Sequence, residues 1–345
     1  MRDHKSSVSD LRMQILDIEA KIDHQLDPWF EHELVCPRDH RDLRRAGDHL
    51  VCARGHCYAI VDGIPIMLLD DVPQTAPEVT RRSLAGGVAI DVESAPDRVV
   101  DSYVQQAIVG TNGNLYSRVA GKLPRYPIPD MRLPSVRDGA RDLLDLGCNW
   151  GRWSIAAARR GYRPIGMDPG LESIIPARRI ARQLGVEARF LVGDARYIPF
   201  RDGRFEVVHC YGVLQHFSPV DAKLAIAEAA RVAAPGATML IQMAARYGAL
   251  SLLQQARRGF RAPRGFEVRY WKPSEIASVF RQLAGPTALS ADGYFTLNPQ
   301  PSDLDLLPFH ARTIVRLSET MRALSRRIPA LLNVADSIFA TSVKE

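Results

Sequence analysis

The chain is short of lysine, modest in aromatics and without any long apolar run. Only six of its 45 basic residues are Lys; the rest are Arg in scattered pairs, so a net charge of +6 reads first as compositional bias. A surface for anionic partners, RNA or phosphorylated substrates, is the sharper alternative. No stretch nears the roughly 18 apolar residues of a bilayer span. The start MRDHKSSVSD is too polar for a secretory leader, so the expected address is cytoplasmic with no membrane span. Five cysteines in 345 residues make no disulfide framework, and Cys36, Cys52 and Cys57 lie close enough together to suggest metal chemistry instead. Internal repeats and low-complexity tracts are missing too. What remains, 46% hydrophobic and 24% charged, is an ordinary globular composition.

Apolar residues at Val8, Leu11, Ile15, Ile18 and Ile22 make one stripe on a helix, so residues 1–33 are read as an amphipathic helical segment. Residues 34–70 form a compact unit of short β-prone pieces. Residues 71–97, rich in Pro, Thr, Ala and Gly without a sustained period, read as a linker. From residue 98 to 345 strand and helix signals alternate. Strand-like runs fall at 142–146, 164–167, 188–191, 205–209 and 238–243, with helical stretches at 152–160, 174–184 and 220–232 between them. A further helix at 273–283 and two late strand candidates, ALSADGYFTL and ADSIFATSV, follow. An Arg-rich helical insertion lies between those strands, about 298–332, where insertions commonly cover a site. The pattern predicts an α/β fold, a doubly wound, mostly parallel seven-stranded sheet, preceded by the small β unit.

Ligands of such sheets lie beyond the carboxyl ends of the strands. Asp145 closes the first strand, Asp168 the second, and Asp194 follows the third. Three carboxylates suit a pyrophosphate poorly. They suit a cationic, donor-rich ligand such as S-adenosylmethionine, with its sulfonium, amino group, ribose diol and adenine amine. In DLLDLGCNWGRW, Gly147 and Gly151 let the backbone turn and approach a ligand, and Asn149 is among the few side chains that tolerate a left-handed conformation. A nicotinamide-binding turn would need glycine at position 149 and glycine or alanine at 152, where this chain has Asn149 and Arg152.

The spacing of Asp145, Gly147, Asn149 and Gly151, with Asp168 and Asp194 downstream, resembles that of class I S-adenosylmethionine-dependent methyltransferases of the type 11 group. The resemblance covers roughly residues 100–345 and is weak after Met243. It implies a cofactor site of Asp145, Gly147, Cys148, Asn149, Gly151, Asp168, Pro169, Asp194, Ala195 and Tyr211. In it Asp168 holds the ribose hydroxyls, Asp194 with the Ala195 amide reads the adenine amine, and HCYGVLQHF lines the transfer end. Methyl transfer needs an in-line arrangement, and a base only when the acceptor arrives protonated. His216 is the first candidate base and His209 the second, each with a plain packing role as alternative. Gln215, Asn112 and Tyr116 are further candidates to shape the pocket. Arg246, Arg257, Arg258, Arg269, Arg312 and Arg316 are candidates to grip an acidic substrate.

Cys36, Asp39, Cys52 and His56 follow the spacing x2, x12, x3, two short knuckles of the kind a structural zinc ribbon uses. The segment resembles the zinc ribbon preceding the methyltransferase domain of bacterial rRNA guanine-N1 methyltransferases, with Asp39 where those carry Cys. His40 and Cys57 are alternate ligands. The expected activity is methyl transfer from S-adenosylmethionine to a small or medium-sized molecule, a natural product, sugar or lipid-linked intermediate, anionic if the arginines face it. A base of rRNA or tRNA is one alternative acceptor, and a non-catalytic cofactor-binding scaffold the other. The oligomeric state stays open.

Overall fold

A computed structural model of the protein describes residues 25–86, 99–136, 141–298 and 300–345. The stripe expected at 8–22 lies outside the described residues. The short helix α1 (Pro28–Glu33) opens with Asp27, whose carboxylate accepts from the Trp29 amide at 2.9 Å, and Pro28 in the first turn. Four short strands follow: β1 (Leu43–Ala46), β2 (His49–Cys52), β3 (Cys57–Val61) and β4 (Ile64–Met67), each antiparallel to the one before. The β3–β4 connection is Asp62–Gly63, both left-handed at φ 53° and 69°, as a two-residue hairpin on twisted strands requires.

This β unit is not a separate bead. β4 runs parallel to a strand of the main sheet, pairing Ile66 with Val192 and Met67 with Gly193. The tract expected as a linker also folds in part, as helix α2 (Pro77–Leu84). Its composition hides a helix held by tertiary contact. Pro77 starts it, and buried Ser83 donates its hydroxyl to the Pro169 carbonyl at 2.8 Å and accepts from the Leu171 amide at 2.9 Å. Helix α3 (Ser102–Asn112), capped by Asp101, leads to the main sheet.

The sheet is then built by β5 (Asp142–Leu146), α4 (Arg152–Ala158), β6 (Arg163–Asp168), α5 (Leu171–Gln183), β7 (Arg189–Gly193), β8 (Phe205–Cys210), α6 (Pro219–Val232) and β9 (Ala233–Ala244). Helices α7 (Ala249–Arg257) and α8 (Pro273–Ala284), strand β10 (Thr287–Gly293), helix α9 (Phe309–Ser325) and strand β11 (Ser337–Val343) complete it. The strand order is β1-β2-β3-β4-β7-β6-β5-β8-β9-β11-β10, eleven strands and not the expected seven. Seven of them, β7 to β10 in that order, form a doubly wound core with β11 alone reversed, and the small unit adds four at the β7 edge.

The parallel strands are apolar because both faces are covered; all five residues of β5 are buried. From β5 the chain winds outward to β7, then returns to β8 on the other side of β5, which opens a crevice between the two strand ends. Helix α9, in the expected insertion, packs against the sheet through buried Ala311 and Val315. Among the described residues no helix is long and apolar enough to cross a membrane.

Candidate active site

At that crevice lies a cavity of about 1070 Å³. Its floor is the turn after β5, where Gly147, Asn149 and Gly151 are left-handed at φ 71°, 46° and 80°. Asn149 secures its own strained conformation: its side-chain carbonyl accepts from the Trp150 amide at 2.9 Å. A Cβ on Gly147 would come within 2.1 Å of Val213 Cγ2 in the loop after β8, so the closeness of these loops itself demands glycine.

Asp168, at the end of β6, lines the cavity. Its carboxylate accepts from the amides of Asn149 and Gly170, each at 3.0 Å, and from the Ser173 hydroxyl at 3.1 Å. Burial raises its pKa, and these donors oppose the rise. Asp194, after β7, also lines the cavity, but it is clamped by Arg196, whose Nη2 lies 2.7 Å away. Arg196 further donates to Asp221 at 2.9 Å, to the Pro73 carbonyl at 2.9 Å and to Gln74 at 3.3 Å. Cys148, Pro169, Ala195 and Tyr211 stand on the wall as well. The Tyr211 hydroxyl donates to Asp292 at 2.8 Å and accepts from Gln300 at 3.0 Å, which fixes the ring at the end of β8.

Asp145 does not join this wall. It is buried, with one oxygen accepting from Ser154 at 2.7 Å and the other 3.0 Å from His209 Nδ1. The three acids therefore do not converge: side chains alternate along a strand, and Asp145 turns behind the floor. His209 lies with it, fully buried against Trp153 and away from the cavity. His216 does line the cavity. Its Nδ1 sits 2.7 Å from the Phe266 carbonyl, an acceptor only, so that nitrogen carries the proton and Nε2 keeps its lone pair, 3.3 Å from Gln215 Nε2. Burial lowers its pKa below the ordinary 6.5.

Gln215 reaches the cavity with its carbonyl oxygen buried and unpartnered. Asn112 and Tyr116 stay behind the wall that Gly113, Asn114 and Leu115 form, and Tyr116 donates to buried Asp303. The cover comes from α7 and residues 258–270; of the insertion expected at about 298–332, Asn298 alone among the described residues lines the cavity. Arg257 and Arg258 line the cavity, whereas Arg246, Arg269, Arg312 and Arg316 do not. Arg269 instead ties down the backbone, donating to the His216 carbonyl at 2.8 Å. Sequence reasoning missed Arg152, Arg196, Arg261 and Ser173. Only Arg152, adjoining the glycine turn, carried a positional signal.

The ribbon residues gather as their spacing predicts. Donor atoms of Cys36, Asp39, Cys52 and His56 all lie within 4.8 Å of one another, and His56 Nδ1 is 3.3 Å from each sulfur. One Asp39 oxygen is buried without a hydrogen-bond partner. The alternates fall outside: Cys57 is exposed, and His40 turns toward Glu228 at 4.0 Å.

Residues 143–236, which span β5 to the start of β9, match the family model described as a methyltransferase domain. Among characterised relatives, norajmaline N-methyltransferase of Rauvolfia serpentina is 35% identical over 104 residues, 29% of this chain and 35% of the relative. Ubiquinone biosynthesis O-methyltransferase of Hahella chejuensis is 29% identical over 172 residues, 46% of this chain and 70% of the relative. The chain spans only about a third of the length of norajmaline N-methyltransferase and of an uncharacterised Bacillus subtilis methyltransferase that it also matches, at 35% each. The solved structure of an S-adenosylmethionine-dependent methyltransferase from Methanosarcina mazei overlaps 64% of this chain and 99% of its own at 19% identity, with a TM-score of 0.44.

Proposed function

We propose that the protein transfers a methyl group from S-adenosylmethionine to a small or medium-sized molecule. The observation that carries this reading is Asp168. It is a carboxylate at the end of β6, on the cavity wall and held by two turn amides, an acceptor that suits a ribose diol. The remaining wall fits the same ligand. Asp194 and the Ala195 amide suit an adenine amine and ring nitrogen, Gly147 lets the chain pass close, and buried Arg152 Nε has no partner of its own, which suits the ligand's carboxylate. When bound, S-adenosylmethionine supplies an electrophilic methyl group.

The chain's contribution is to align and to exclude water. Tyr211, Gln215 and His216 bound the transfer end, and the cover from α7 to Tyr270 closes it. For an acceptor that arrives protonated, neutral His216 takes the proton at Nε2. Calorimetry tests the cofactor assignment: Asp168→Ala loses at least tenfold in S-adenosylmethionine affinity with its circular dichroism unchanged, and an unchanged affinity refutes it.

The ribbon cluster fits a structural zinc ion. Two thiolates, an imidazole and a carboxylate are a four-ligand set whose mutual distances suit tetrahedral binding, and the buried Asp39 oxygen, which has cationic neighbours at 3.6–4.0 Å but no hydrogen bond, gains a bond. Cys36, Asp39, Cys52 and His56 would hold it, tying α1 and the hairpins together.

A further inference from the structure

The cavity is divided by charge. Where β6 and β7 end, its wall carries Asp168, Glu172 and Asp194; on the cover side it carries Arg257, Arg258 and Arg261. The acidic side suits a cationic nucleoside, so the arginines face what lies beyond it. The one carboxylate on that side, among the described lining residues, is Glu267, already gripped by Arg261 through contacts of 2.7 and 2.6 Å. Arg258 also favours its charged form through space, but no ion pair within 4.0 Å joins it to Arg257 or Arg258.

Arg257 is exposed and free to turn into the cavity, with no hydrogen-bond or ion-pair partner among the described residues; its neighbour Arg258 is half-buried. Arg258 donates one N–H to the Val268 carbonyl at 2.9 Å and lies over the Tyr270 ring at 5.4 Å, while its Nε is shielded from solvent and donates to nothing. A charged group that is half desolvated and short of acceptors is built to receive one. Next to these arginines Phe266 stacks on His216 with ring centres 4.0 Å apart, and Phe295 is exposed at the cavity wall. Ring faces and guanidinium groups thus line the same cavity as His216, whose unprotonated Nε2 has only the Gln215 amide beside it, at 3.3 Å.

We propose that this side is the acceptor subsite and that it takes a carboxylate or phosphate carried on an aromatic or apolar body. The anion pairs with Arg257 and Arg258, and the body lies against Phe266 with its nucleophile toward His216. The proposal rests on the methyltransferase reading of the cavity. It also narrows the six arginines singled out in the sequence to two, with Arg261 occupied by Glu267.

The test is calorimetry on the full chain saturated with S-adenosylhomocysteine, titrated with 4-hydroxybenzoate, phenyl phosphate and neutral 4-hydroxybenzamide. At least one anion binds tenfold or more tightly than the amide, and the stronger of the two anions tells carboxylate from phosphate. Arg257→Ala and Arg258→Ala each remove most of that preference while S-adenosylhomocysteine affinity, the control for folding, stays within about threefold. Equal binding of the charged and neutral probes, absence of anion binding, or a preference that survives both substitutions overturns the proposal. Failure of S-adenosylhomocysteine to bind the wild-type protein overturns the cofactor reading itself, and this inference with it.

Discussion

Nδ1 of His209 lies 3.0 Å from Oδ1 of Asp145 in the interior of the sheet, behind the cavity and not in it. The pair ties β8 to β5, and the second oxygen of Asp145 ties β5 to α4 through Ser154. Asp145→Ala strands a buried hydroxyl and a buried imidazole N–H, each costing about 1–3 kcal/mol. Denaturant unfolding of this variant shows a loss of about 2–4 kcal/mol. Its cofactor affinity, measured well below the melting temperature, stays close to that of wild type, in contrast to Asp168→Ala. A tenfold loss of affinity in a stable Asp145→Ala protein would return this acid to the ligand wall.

The 2.1 Å approach of a hypothetical Gly147 Cβ to Val213 Cγ2 predicts that Gly147→Ala disrupts the turn. Two causes act together: the clash, and the left-handed φ of 71°. The double variant Gly147→Ala, Val213→Ala recovers part of the lost cofactor affinity, because only the clash is relieved. Full recovery would mean that the backbone angle is immaterial.

Burial holds His216 below its ordinary pKa of 6.5, so the folded protein binds fewer protons at this site than the unfolded chain between the lowered value and 6.5. Stability therefore falls as pH drops through that window and is unaffected by this group above it. Ring resonances followed by NMR titrate with a midpoint under 6.5, and the spectrum at pH 7 is that of the neutral tautomer protonated at Nδ1. A midpoint at or above 6.5 would show that the imidazole is not desolvated as the structure has it.

Metal analysis of the purified protein gives about one equivalent of zinc, matching the one four-ligand cluster among the described residues. Cys52→Ser and His56→Ala lose it, Asp39→Cys holds it more firmly against a chelator, and His40→Ala and Cys57→Ser change nothing. Less than a tenth of an equivalent in folded wild-type protein would end the zinc assignment.

Much of the sheet was legible because parallel strands covered on both faces read as apolar runs, and β5 to β9 follow those runs closely. That Cys36, Asp39, Cys52 and His56 gather was legible from their spacing, since each knuckle is a local turn. What the sequence hides is non-local. No pattern within residues 64–67 announces that β4 pairs with β7, and α2 is a helix by virtue of Ser83 docking on the turn before α5. An acid at a strand end does not reveal which face it takes, so Asp145 and Asp168 look alike in sequence and point to different places. Arg196 looks like any other arginine until folding sets it across Asp194 and Asp221.

β4 places the ribbon mechanically in series with the rim of the cleft. The strand lies in register with β7, β7 runs into Asp194, and the Arg196 that grips Asp194 also holds the chain leaving β4, at Pro73 and Gln74. An unbroken run of pairings thus leads from the hairpins that carry Cys52 and His56 to the cavity wall at Asp194.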